Sequence, residues 1–276
     1  MKNSKKLTIY FIFILVISAL IVFLVIRLRK NKYVIINGTE AVYGNPKSVV
    51  KKTYEVNYKF DEFQRNALPL KIEYYFFDNK SNLIKEKFIS SLKSTETNYT
   101  YDENNSLIRK TNTENNQLKW YSEYLYSNGV LIEEKTLSNK SVLEKINYQY
   151  NTSDRKRKEF HFRDNISQIT ISDFDQKGNL IETVYYDTLG NRQNSINFSY
   201  DENGLLRRRG TNGYLTEVEY EYNPSKLLIS TKWSIEKDIF SYKEFDRLKN
   251  WKIREEFVDL SGTHIRYLTD REISYY

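Results

Sequence analysis

The sequence predicts an all-β fold: an antiparallel meander of about nine repeated hairpins forming a twisted or rolled open sheet, preceded by one N-terminal transmembrane helix. Three observations predict it. An aromatic–Asp/Asn/Ser pair followed by a turn and an apolar residue recurs along the chain. The flanking residues alternate with period two. A single uncharged run of twenty residues stands near the N-terminus.

That run, Leu7 to Ile26, has the length of a bilayer-spanning helix at 1.5 Å per residue, and a helix satisfies its own backbone groups in hydrocarbon. Residues 1–32 hold seven Lys and Arg and no acid; the rest holds thirty-six basic and thirty-six acidic residues. The net charge of +7 therefore belongs to the flanks of the run, where Arg27 to Lys32 are read as headgroup contacts. A charge-balanced body disfavours nucleic acid as a partner. The run is too long for an ordinary signal peptide and lacks a small-x-small site after it, so it is read as an uncleaved anchor. The short N-terminus then stays inside, which places the protein in the bacterial inner membrane as a single-pass chain with its C-terminal part exported to the periplasm. Residues 1–32 are thus the anchor, 33–52 a linker with Gly38, Gly44 and Pro46, and 53–276 the β domain.

The repeat begins at Phe77, Tyr101, Tyr126, Tyr150, Phe174, Tyr200, Tyr222 and Phe245, with spacings of 22 to 26 residues. Two positions earlier stand Tyr75, Tyr99, Tyr124, Tyr148, Ser172, Phe198, Tyr220 and Lys243; the residues between are mostly polar. One face of each strand is therefore aromatic and the other wet. After the key aromatic, Asp or Asn can accept amide hydrogen bonds. Four positions on, Gly178 and Gly204 take positive φ without a Cβ clash, and Asn105 tolerates it. Lys226 and Lys249 fit that position less readily, so their turns are expected to differ, and Gly129, one residue early, marks a shorter turn. A second turn divides each unit, as at Gly190-Asn191, making the unit a hairpin. Prolines only at 46, 69 and 224 leave most strands free to donate ladder bonds.

The segments FDQKGNLIETVYYD (174–187), YDTLGN (186–191) and YDENGLL (200–206) resemble YD repeats of the RHS type, over about residues 53–276; phrases such as YSNGVLIEE (126–134) are also similar to MORN-like repeats. Lys249 stands where that pattern usually has Gly. The resemblance implies strand construction. Large family members enclose a cargo toxin, and about nine hairpins are too few for that, so an open sheet with capped ends is expected.

No phosphate loop, HExxH or GxSxG is present, and the absence of Cys excludes thiolate chemistry and disulfides. His161 and His264 are 103 residues apart, and His161 alternates with Phe160 and Phe162 as a wet-face residue. Asp175, Asp187 and Asp201 could align on one edge as a Ca²⁺ site or, more simply, cap their turns. Arg155 to Lys158 and Arg207 to Arg209 read as solvated strand edges that could touch anionic lipid or glycan. No catalytic, cofactor or metal residue is assigned, and no binding residue can be named. The expected role is non-enzymatic: a membrane-anchored envelope module, held by residues 7–26, that binds or scaffolds a protein or glycan. The alternatives are an accessory or immunity protein of a toxin system and, more weakly, an envelope glycan hydrolase using two carboxylates.

Overall fold

A computed structural model describes residues 33–276 apart from 37–39, 60–61, 139–140, 154, 164–165, 213–216, 234–235 and 258–264. The anchor expected over 1–32 lies outside the described residues. Among the described residues no helix is long and apolar enough to cross a membrane.

Among the described residues, twenty-one strands follow one another. They are β1 (Tyr33–Ile36), β2 (Glu40–Tyr43), β3 (Pro46–Lys59), β4 (Glu62–Arg65), β5 (Lys71–Phe77), β6 (Leu83–Ser90) and β7 (Ser94–Tyr101). Next come β8 (Leu107–Glu114), β9 (Gln117–Ser127), β10 (Val130–Ser138), β11 (Ser141–Asn151), β12 (Lys156–Arg163), β13 (Ile166–Phe174) and β14 (Leu180–Tyr186). The last are β15 (Arg192–Tyr200), β16 (Leu206–Asn212), β17 (Glu217–Tyr222), β18 (Leu228–Trp233), β19 (Glu236–Phe245), β20 (Trp251–Phe257) and β21 (Ile265–Tyr275).

The chain is all-β and antiparallel, but the expected open sheet is corrected: β3 and β5 to β21 close into a barrel of eighteen strands. β4 pairs only with β3 as a side hairpin. The seam joins β21 to β3 from Tyr267↔Glu55 to Tyr275↔Pro46. Twist accumulates from strand to strand until the two edges meet, and pairing them satisfies two rows of backbone groups that an open sheet would expose. The capped ends expected of an open sheet are therefore replaced by the seam. Residues 33–52, expected as a linker, carry strands. They form β1, β2 and half of β3, and Val34, Ile36 and Val42 pack on Val49, Tyr75 and Phe77 as the main buried cluster.

The aromatic–Asp turns share one geometry. In the turn after β13 the Lys177 and Asn179 amides both donate to Asp175 Oδ1 at 2.8 Å, and the Gly178 amide donates to the Asp175 carbonyl at 3.1 Å. The residue at the Gly178 position has φ of 85° there, 71° at Asn105, 64° at Lys226 and 66° at Lys249. The two lysine turns thus adopt the common form, with the Asp or Asn cap outweighing the Cβ penalty of about 1–2 kcal/mol. The short turn at Asn128-Gly129 has positive φ at both residues, as a two-residue hairpin needs.

Candidate functional site

Registers decide which side chains share a face. Lys110 opposes Ser122, Ser122 opposes Thr136, and Thr136 opposes Glu144. Glu134 lies opposite Tyr124 and Ile146, Ile146 opposite His161, and Tyr148 opposite Glu159. The side chains of these residues form one continuous wall across β8 to β12. Ion pairs on this face, such as Lys51–Glu40, are more buried than those on the other, such as Lys85–Glu96 and Arg192–Glu182, as expected where side chains converge inside a closed barrel, so this wall is the one turned to the lumen. The β1–β2 hairpin lies on the same side, where Glu40 reaches Lys51 of β3 and Arg254 of β20.

On that inner wall a cavity of about 340 Å³ is lined by Lys110, Trp120, Ser122, Glu134, Thr136 and Glu144, among others. The Lys110 ammonium sits 5.5 Å from the Tyr99 ring centre and 5.4 Å from that of Trp120. Cation–π contact of this kind holds the ammonium against the sheet. The Tyr148 hydroxyl donates to Glu134 at 3.0 Å, and the Ser122 and Thr136 hydroxyls bond each other at 2.7 Å. Burial, followed by the Glu134 charge, pushes the Tyr124 and Tyr148 phenols far above their usual range. Both stay protonated, and the Tyr148 hydrogen is committed to Glu134.

Next to this row, His161 stands between two carboxylates, with Nε2 3.1 Å from Glu159 and Nδ1 3.4 Å from Glu144. The Glu159 hydrogen bond, against an opposing effect of burial, raises the His161 value. Burial alone would raise Glu159, but His161 and Arg157 together hold it below the ordinary carboxylate range. Among the described residues no group of three or more His, Asp or Glu side chains is arranged to hold a metal ion.

The structure separates the residues singled out in the sequence. His161 points into the lumen, half-buried, while its neighbours Phe160 and Phe162 face outward. His264 lies outside the described residues. Asp175 and Asp201 cap turns at one end of the barrel, and Asp187 caps a turn at the other end, since β14 runs back between them. Each is engaged by its own turn: Asp187 accepts from the Leu189 and Asn191 amides at 2.9 and 2.8 Å. Of the basic clusters, Arg157 turns inward beside Glu159 at 2.6 Å, and Arg208 turns outward to Glu217 and Glu219. Arg207 reaches Asp201 at 3.1 Å. Lys110, Trp120, Glu134 and Glu144 were not distinguishable in the sequence. Only the strand registers bring them together.

The outer face is charged as well. Lys85–Glu96 and Lys145–Glu133 pair at 2.8 Å, Arg192–Glu182 at 2.9 Å and Lys52–Glu272 at 3.1 Å. A lipid-facing barrel instead carries an apolar band about 25 Å tall between aromatic girdles.

No family model matches the chain, and no curated relative matches it. Solved structures do. A porin-like protein from Bacteroides uniformis is 9% identical with a TM-score of 0.44, over 83% of this chain and 96% of that one. A porin-like protein from Bacteroides vulgatus is 12% identical with a TM-score of 0.31, over 84% and 98%. A TcdB2-TccC3 structure is 11% identical with a TM-score of 0.21; 68% of this chain spans 16% of that one. At these values the likeness extends no further than β architecture. The YD-repeat and MORN-like assignments are corrected: the repeats close on themselves as a barrel, and no repeat-family model supports either name. The single-pass inner-membrane placement is corrected as well: among the described residues no helix is long and apolar enough to cross a membrane.

Proposed function

We propose that this chain is a non-enzymatic binding barrel of the bacterial envelope whose lumen wall holds a neutral, hydroxyl-rich ligand, a glycan. One observation carries the reading: the Ser122 and Thr136 hydroxyls, the Glu134 and Glu144 carboxylates and the Trp120 ring line one inner cavity of about 340 Å³. Sugars need that combination, because their hydroxyls both donate and accept while their C–H faces pack on aromatic rings. Two charged faces favour a barrel bathed in water on both sides over one embedded in lipid. The envelope setting rests on the uncharged run at 7–26, which has the character that export machinery reads.

The test is titration of the full chain with oligosaccharides of two to six sugars from bacterial envelope polymers, followed by Trp fluorescence and by chromatography of the sugar. Saturable binding, lost in Trp120→Ala, with the sugar recovered intact, is the expected result. Shortened sugars would make the chain a hydrolase, and binding unaffected by Trp120→Ala would remove the lumen wall from the reading.

A further inference from the structure

We propose a second, independent site at one mouth of the barrel, built to hold a small amphipathic carboxylate. The turns Asn223–Leu227 and Asp246–Asn250 stand side by side at this rim, and with Tyr43 they enclose a cavity of about 670 Å³. That volume suits a small organic ligand.

The floor is apolar and fixed. Leu227, Phe245 and Leu248 line it. Asn250, almost fully buried, accepts from the Tyr43 amide at 2.8 Å and donates to the Tyr43 carbonyl at 3.0 Å, so the end of β2 is tied to the turn. Gly44 at φ 94° lets Leu248 pack closely against it, since a Cβ there would lie 2.6 Å from Leu248 Cδ1.

The lip is cationic. Arg247 and Lys249 both line the cavity, and neither makes an ion pair among the described residues. The carboxylate nearest to them in sequence, Asp246, is already committed: its oxygens accept from the Leu248 and Asn250 amides and from the Tyr275 hydroxyl. Two uncommitted cations over an apolar floor are complementary to an anionic head on an apolar body. A neutral or cationic amphiphile gains only the floor. Lys249 holds its turn at φ 66°, where Gly would be relaxed, and a side chain at that position is what gives the lip its second charge.

The experiment uses the full chain in a deuterated maltoside detergent, with octanoate, octanol and octylammonium titrated separately and followed by saturation-transfer NMR. Octanoate is expected to saturate. Octanol should bind about tenfold more weakly, which corresponds to 1.4 kcal/mol, and octylammonium should show no saturation. Arg247→Glu with Lys249→Glu should weaken octanoate at least tenfold while the circular-dichroism spectrum is unchanged. No saturation by octanoate, or equal affinity for octanoate in the wild type and the double variant, overturns the proposal. Because neither residue touches the lumen cavity, glycan binding measured on the same variant separates failure of this site from failure of the lumen reading.

Discussion

Replacing Glu40 with Gln tests what holds the β1–β2 hairpin inside the barrel. Glu40 approaches Lys51 at 3.3 Å and Arg254 at 3.2 Å, with side chains only 16%, 6% and 19% exposed. Removing one partner of a buried pair typically costs 3–5 kcal/mol, because a cation is left dry and uncompensated. The lower end applies here. Lys51 keeps Glu73 at 3.7 Å, and Arg254 keeps Glu256 at 3.7 Å. Further compensation is scarce, however. Arg271 stacks on Trp251 at 3.8 Å with both terminal nitrogens unpartnered, and burial lowers its value to about 10. The expected loss is about 3 kcal/mol, or a fall in Tm of roughly 6–12 °C for a domain of this size. Urea unfolding followed by tryptophan emission measures it, and a cycle with Arg254→Met isolates the pair. A loss below about 1 kcal/mol, or strict additivity in the cycle, would show that the hairpin is held by Val34, Ile36 and Val42 alone.

Three further outcomes follow from the geometry. The folded-state value of His161 is raised above its unfolded value of about 6.5, so its contribution is complete below about pH 6.5 and is lost as pH rises through the folded value; His161→Gln should flatten stability against pH in that window, and an unchanged slope assigns it to other groups. Gly190→Ala should cost about 1 kcal/mol from backbone strain alone, since nothing lies within 4 Å of the added carbon; Lys226→Gly should stabilise by a few tenths to about 1 kcal/mol, and the opposite sign in thermal unfolding refutes the shared turn geometry. Thr269→Pro, at the buried seam position paired with Thr53, should break ladder bonds on β21 and expose two edges, giving oligomers by light scattering; a monomer of native stability would show that the seam is dispensable.

The parts of the fold legible in the sequence are those governed by near neighbours. An Asp or Asn accepts amides two and four residues on, and the period-two alternation is set by the pleat, so turns and strands could be placed from composition and spacing. Closure could not. It depends on contacts such as that between the Thr53 and Thr269 hydroxyls, 216 residues apart at 3.2 Å, and nothing near either threonine distinguishes a seam strand from any other. The strands within 33–52 were hidden for a related reason. Gly44 and Pro46 are turn residues, but they join two paired segments, not two domains. The lumen site stayed hidden because Lys110, Trp120, Glu134 and Glu144 lie on four successive strands, and their alignment depends on bulged registers within β8–β9, β9–β10 and β10–β11.

Those bulges bear on what the barrel can do. In each aromatic–Asp hairpin after β5, β7, β13, β15 and β17 the register shifts by one residue beside the turn. A bulge adds twist and re-aims the side chains beyond it. Repeated at one end of successive hairpins, it lets a sheet whose two faces are both polar close without a continuous apolar core, because the seam satisfies the edge hydrogen bonds and the tyrosines cover the strands. The described buried apolar cluster is confined to the hairpin side, around Val42 and Val49. The facing wall over β8 to β12 is left with half-exposed rings and carboxylates in place of packed aliphatics. A wall so constructed is held by pairs among its own side chains, such as Tyr148 with Glu134 and His161 with Glu159, in place of aliphatic packing.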